Sequence, residues 1–168
     1  MFKTLSLVVT LLFGASHAVS GAAETQKRNS TVERTYAMIK PDAVKAGNAA
    51  KIIARIEAEG FKIVGMKKVH VTLAQAQAFY AVHKARPFFG ELTEFLSSGP
   101  VIAMVLEKEN AIKAWRDLMG ATNPAQAEPN TLRKLYAASI GENAVHGSDA
   151  PETAAQEIPF FFAAAELI

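Results

Sequence analysis

The spacing of apolar residues changes several times along the chain, and each change predicts an element. Thr35–Ile39 (TYAMI) alternates and is rich in β-formers, which predicts a buried strand. It stops at Lys40-Pro41-Asp42, because proline has no amide to give a central ladder. Ile52, Ile53 and Ile56 then repeat at helical spacing, predicting a helix over 48–59 with Gly60 at its C′ position. Phe61–Val71 reads as a second strand. Thr72 opens a helix with Gln75 three residues on, a capping-box pattern. Phe88–Leu96 predicts another helix, broken at Gly99-Pro100. Val101–Leu106 (VIAMVL) is a short apolar run suited to an interior strand. Asn110–Met119 is helical in pattern, with Ile112, Trp115 and Met119 near one face. A polar, proline-containing connection follows over 121–130, of a kind that is uncommon unless it binds something. Ala144-Val145 predicts a short strand leading into Gly147. Asp149 is then expected to cap a last helix, with Pro151 in its first turn and Glu152 at the capping-box position.

Strands and helices therefore alternate as β-α-β-(αα)-β-α-β-α. That order predicts an α/β (α+β) sandwich: a ferredoxin-like antiparallel four-stranded sheet with surrounding helices. No repeat or low-complexity tract interrupts it, so residues 33–168 are expected to form one domain. The first residues do not join this pattern. Lys3, the apolar run Leu5–Phe13, and the small residues around Ala18 and Ala22 read as a secretory signal over 1–22. The run is short of the ~20 apolar residues a spanning helix needs. Residues 23–32 are polar and read as a flexible lead-in. This predicts export to the periplasm or the medium, and no stable membrane span in the mature form.

Composition narrows the chemistry. The 168 residues include no cysteine, which removes disulfide scaffolds, cysteine-ligated metals and thiol nucleophiles. With 50% hydrophobic residues the chain can build a core, and a net charge of +2 is too balanced for a protein that mainly coats nucleic acid. Neither G-x-x-x-x-G-K-[ST] nor G-x-G-x-x-G occurs, so any phosphate grip must come from side-chain cations.

Asn143–Asp149 (NAVHGSD) is the sharpest local feature. It sets His146 at a strand-to-turn junction, with Gly147 expected to clear space for a ligand and Ser148 and Glu157 able to fix the ring. An imidazole is a nucleophile near neutral pH, since its unperturbed pKa is roughly 6.5. Attack on phosphorus also needs cations to gather phosphate oxygens. Lys40, Arg116 and Arg133 are candidates, the two arginines flanking the long connection, with Thr122 and Asn123 as neutral donors. Phe88-Phe89 could stack a base or simply join a core. His70 and His83 have no convergent partner in sequence and read as structural.

At these residues the chain resembles nucleoside diphosphate kinases. NAVHGSD matches the family's N-x-x-H-G-S-D signature. Further matching blocks are Thr35–Val44 (TYAMIKPDAV), Arg86–Phe89 (RPFF), Ser98–Val101 (SGPV) and Gly120–Ala125 (GATNPA), so the resemblance spans about Glu33 to Leu167. It implies a ping-pong transfer in which His146 takes the terminal phosphate of a nucleoside triphosphate, mainly ATP, as a pros-phosphohistidine and passes it to a diphosphate. It further implies that Lys40 and Tyr80 hold the transferring phosphate, and that Arg116, Thr122 and Arg133 hold the others. Asn143 and Lys40 would reach the sugar hydroxyls, Phe88 and Ile140 would cover the base, Leu92 would add a nucleotide contact, and Ser148 and Glu157 would support the histidine. Magnesium would ride on the phosphates with Asp149 nearby and no direct protein ligand. A homo-oligomer, tetramer or hexamer, is implied, and so is a cytoplasmic location as the alternative to export. Asn130 stands where a glycine is more typical, which predicts a stiffer loop before Arg133. Two other classes compete. A nucleotide-binding module without catalysis should have lost part of this residue set, which is complete here. A nucleic-acid binder on the same sheet should show a basic face.

Overall fold

The computed structural model describes residues 32–168, so the expected signal and most of the lead-in lie outside the described residues. Four strands, β1 (Val32–Ile39), β2 (Lys62–Val69), β3 (Val101–Glu109) and β4 (Val145–Gly147), form one sheet in the order β2-β3-β1-β4. All neighbours are antiparallel, so β1 and β2 run in the same direction with β3 between them. This is the split βαβ arrangement expected of a ferredoxin-like fold. Seven helices surround it: α1 (Pro41–Lys45), α2 (Ala49–Ala58), α3 (Leu73–Phe79), α4 (Phe89–Leu96), α5 (Ala111–Met119), α6 (Leu132–Tyr136) and α7 (Pro151–Phe161). Among the described residues no helix is long and apolar enough to cross a membrane.

Alternation along β1 explains the two-layered core. Ala37 and Ile39 face one cluster with Ile52, Ile56, Leu106, Trp115 and Leu132. Tyr36 and Met38 face the other with Val64, Val105, Leu96 and Phe162. A central strand covered on both sides is buried on both sides, so Thr35–Ile39 is buried throughout rather than on one face only.

The structure departs from expectation where polarity or shortness hides an element. β1 begins at Val32 and β3 runs on to Glu109, because their outer ends pair through polar residues, with Arg34 Nε on Glu107 Oε2 at 2.8 Å. Helices α1 and α6 hold five residues each, too few to show a period. Thr72 does form the capping box with Gln75. The start of α7 corrects the expected cap: Ala150 is the N-cap, and Thr153 Oγ1, not Glu152, accepts the amides of Asp149 and Ala150 at 3.0 and 2.9 Å. Asp149 is spent elsewhere, on Arg116.

Candidate active site

Three segments far apart in sequence meet at the junction of β1 and β4. The register pairs Met38 with His146, so β4 delivers His146 to the edge of the sheet beside the turn that follows β1. That turn carries Lys40, whose amide donates to Ala144 O at 2.9 Å. Helix α7 passes behind and brings Glu157, whose Oε1 lies 3.0 Å from His146 Nε2. Ser148 Oγ donates to Glu157 Oε2 at 2.6 Å, so the carboxylate is itself held in place. A carboxylate only accepts, so Nε2 presents its N–H to Glu157, and in the neutral ring the lone pair falls on Nδ1. Trp115 Nε1 donates to the His146 carbonyl at 3.1 Å and fixes the backbone as well.

Gly147 is required by this packing. A Cβ there would meet Trp115 Cδ1 and Nε1 at 2.3 Å, so the missing side chain makes room for the indole. Gly147 also lines the cleft in front of His146, so the space expected beside the ring is kept on that side as well.

A cleft of about 1230 Å³ opens in front of His146. Its lining includes Lys40, Tyr80, Arg116, Thr122, Arg133, Asn143 and Asp149 at the inner end, and Phe88, Leu92 and Ile140 further out. Phe88 and Ile140 are exposed at 49% and 59%, an apolar pair left uncovered at the mouth. Ser148 and Glu157 lie behind the imidazole and do not line the cleft. The fold thus gathers most of the residues singled out above; Asn123 is not among the lining residues, its Oδ1 accepting the Ala125 amide at 3.0 Å, and three residues that sequence reasoning missed are added. His83 lines the cleft between the Tyr80 and Phe88 rings, at 6.0 and 5.8 Å from them. Phe79 packs against the His146 ring at 5.4 Å, and Tyr36 at 6.0 Å. Phe79 lies outside the matching blocks and Tyr36 inside one, but both read as core, since a buried aromatic on a strand or helix usually is. For His83 the adjacent RPFF block was the available signal.

The electrostatics of the inner end call for an anion. Lys40 and Arg133 are buried, although each would be expected on the surface. Burial, then Arg133, lowers the Lys40 pKa to about 8, against a smaller upward pull from Asp42. Burial and then Arg116 lower that of Arg133. Lys40 Nζ has one partner, Asn143 Oδ1 at 2.7 Å, and two free N–H groups. Arg133 gives Nη1 to Gly120 O at 2.8 Å and Nη2 to Val145 O at 3.1 Å, while its buried Nε has no partner. Buried like charges with free donors are costly until an anion neutralises them. Asn143 Nδ2 donates to Ile140 O at 2.7 Å, which leaves its second N–H and one Oδ1 lone pair available for a sugar contact. Among the described residues no group of three or more His, Asp or Glu side chains converges as a metal site.

An imidazole held by a carboxylate through Nε2, a buried cationic pocket and an apolar slot define a phosphotransferase site for a nucleotide. Comparison with known proteins agrees. The family model for nucleoside diphosphate kinase matches residues 33–167, and the chain belongs to that family. It is 64% identical to the nucleoside diphosphate kinase of Trichlorobacter lovleyi over 82% of this chain and 99% of the relative. It is 62% identical to that of Citrifermentans bemidjiense over 82% and 100%. Among solved structures it resembles the Aquifex aeolicus nucleoside diphosphate kinase, with a TM-score of 0.81 and 46% identity over 82% of this chain and 100% of that one. It also resembles a halophilic nucleoside diphosphate kinase from Halobacterium salinarum in complex with CDP, at a TM-score of 0.79 and 41% identity over 82% and 92%. At these identities the chain is an enzyme, a nucleotide-binding phosphotransferase with nucleoside diphosphate kinase activity.

Proposed function

We propose that the chain moves the terminal phosphate of nucleoside triphosphates, mainly ATP, to nucleoside diphosphates in two half-reactions through His146. In the first, the Nδ1 lone pair attacks the γ-phosphorus and the bond to the bridging oxygen breaks. The diphosphate leaves with that electron pair. In the second, a terminal oxygen of a new diphosphate attacks the same phosphorus, and the P–N electrons return to Nδ1. The observation that carries this reading is the 3.0 Å contact of His146 Nε2 with Glu157, which leaves Nδ1 as the one available nitrogen.

Lys40 and Tyr80 are assigned to the transferring phosphate, Arg116, Thr122 and Arg133 to the others, and Asn143 with Lys40 to the sugar. Phe88 and Ile140 take the two faces of the base and Leu92 its edge of the slot. Stacking reads only an aromatic face, so broad base tolerance follows. Magnesium enters with the nucleotide as part of the substrate and neutralises phosphate charge, and Asp149 lines the end where it would lie. The cellular role would be to balance triphosphate and deoxytriphosphate pools. The assembly would be a homo-oligomer, tetramer or hexamer, which sedimentation would count. Where the reaction runs depends on residues 1–22. The family match begins at residue 33, and an N-terminal mass measurement on fractionated cells reads the rest. Cleavage near Ala18 or Ala22 would mean export, and an intact Met1 in the soluble fraction would mean the cytoplasm.

The test is His146→Ala. Exchange between ATP and a diphosphate acceptor should disappear, and radiolabelled ATP should leave no phosphate on the protein. Sustained turnover in a clean preparation of the variant would sink the phosphohistidine route.

A further inference from the structure

One buried polar group beside the nucleophile has no place in this scheme. Tyr36 is fully buried, and its hydroxyl has no hydrogen-bond partner. An unpaired buried hydroxyl costs about 1–3 kcal/mol, and a phenylalanine would fill the same volume without it. The hydroxyl therefore asks for an explanation in terms of the site.

Its position supplies one. Met38 pairs with His146, and Tyr36 lies two residues before Met38, so Tyr36 shares the sheet face that carries the imidazole. Its carbonyl accepts the Ser148 amide at 3.2 Å. Its ring stacks on Phe161 at 5.1 Å, one turn beyond Glu157 on α7. Tyr36 is thus wedged between the strand that holds the nucleophile and the helix that holds its carboxylate. Burial, then the Tyr80 hydroxyl and the Glu157 carboxylate, push the Tyr36 phenol well above its ordinary value. It stays protonated and can only serve Glu157 as a donor. Glu157 has capacity for it: its oxygens accept from His146 and Ser148, and an ionised carboxylate has about four acceptor sites.

We propose that Tyr36 is a positioning residue for His146, its hydroxyl donating directly to the Glu157 carboxylate after a small turn of that group. This rests on the phosphohistidine reading above. A third donor on Glu157 spreads its charge and weakens its pull on the Nε2 proton. His146 is then kept neutral at lower pH, with Nδ1 ready to attack. The other titratable groups lining the cleft around the imidazole are Lys40 in the turn after β1, Tyr80 and His83 beyond α3, Glu91 and Glu94 on α4, Arg116 on α5, Arg133 on α6, Glu142 before β4 and Asp149 before α7. Tyr36→Phe changes none of them.

The experiment compares the full chain with its Tyr36→Phe variant in three measurements. The acid limb of kcat/KM should move to higher pH by about half a unit, a roughly threefold loss on that limb, with the plateau within twofold. The pH titration of the His146 ring followed by NMR should move the same way without any turnover. Thermal stability reports the packing role separately. Superimposable pH profiles and ring titrations, or shifts to lower pH, would overturn the proposal whatever the change in stability. Phosphate capture on His146 of the unsubstituted chain is measured alongside. Its absence would count against the underlying reaction instead.

Discussion

The Asp42 carboxylate and the Ala144 amide, 102 positions apart, are joined by one hydrogen bond of 2.9 Å to Oδ2. Ala144 is held at φ 64°, in the left-handed region. The Val145 amide donates back to Asn143 O at 2.7 Å, closing a three-residue turn just before the nucleophile. An L-residue there is strained by about 1–2 kcal/mol, and such strain persists only where the surroundings impose it. Asp42 on one side of Ala144, and the Lys40 amide on its carbonyl, impose it here. The turn that carries the phosphate-binding lysine thereby aims the histidine.

Asp42→Ala should therefore lower stability by about 1–3 kcal/mol, since it leaves a buried amide unpaired. It should also lower kcat more than it raises KM, because the histidine loses its aim. Adding Ala144→Gly should restore about 1 kcal/mol by relieving the strained φ. Denaturant midpoints of the single and double variants check this. A further loss on adding the glycine would show that the turn is not strained.

The sheet was legible in the sequence wherever a strand is buried on both faces, as at Thr35–Ile39 and Val101–Leu106. Where strands continue through Arg34 and Glu107, cross-strand ion pairing replaces apolar alternation and the pattern falls silent. The site was legible through its motif and through a resemblance spread over many blocks. Its electrostatics were not. Lys40 and Arg133 look like surface charges until the fold buries them together, and Tyr36 looks like core until its hydroxyl is found unpaired. At Gly147 the need for open space was legible but its second user was not, because Trp115 lies 32 positions earlier in the chain. Asn130 takes φ 66°, a conformation asparagine tolerates, so the missing glycine there leaves the backbone path open.

Glu157→Gln keeps the shape of the support and removes its charge. Its amide can also donate to Nε2, which would place the proton on Nδ1. Single-turnover phosphorylation by ATP should slow about 10- to 100-fold, the worth of a charge-assisted hydrogen bond of 1.5–3 kcal/mol. Nucleotide affinity should change little, since Glu157 does not line the cleft. Ser148→Ala removes one donor to the carboxylate and should cost less than tenfold. Equal losses from both would mean that the serine does more than hold the glutamate.

Gly147→Ala places a methyl 2.3 Å from the Trp115 indole. The indole is fully buried, and its Nε1 holds the His146 carbonyl, so it has no free space to yield. Overpacking of this kind costs about 1–3 kcal/mol or more, and it should fall on activity and stability together. Trp115→Phe in the same chain opens the space and should recover part of the stability. It should not recover full activity, because the bond to the His146 carbonyl is gone. Calorimetry and steady-state exchange assays separate the two effects.

Lys40 links pH to stability and to affinity with opposite signs. Its folded pKa of about 8 lies below the ordinary value of 10.5, lowered first by burial and then by Arg133. Between those values the unfolded chain binds more protons than the folded one, so the stability of the nucleotide-free enzyme gains from Lys40 as pH rises. Phosphate needs the charged ammonium, so nucleotide affinity should fall as pH climbs past about 8, at up to tenfold per unit when the charged form alone binds. Lys40→Arg stays charged and should flatten both trends. Titration calorimetry with a nucleoside diphosphate and thermal midpoints over the same pH series measure them. Affinity that holds constant well above pH 8 would show that the pocket does not depress this lysine.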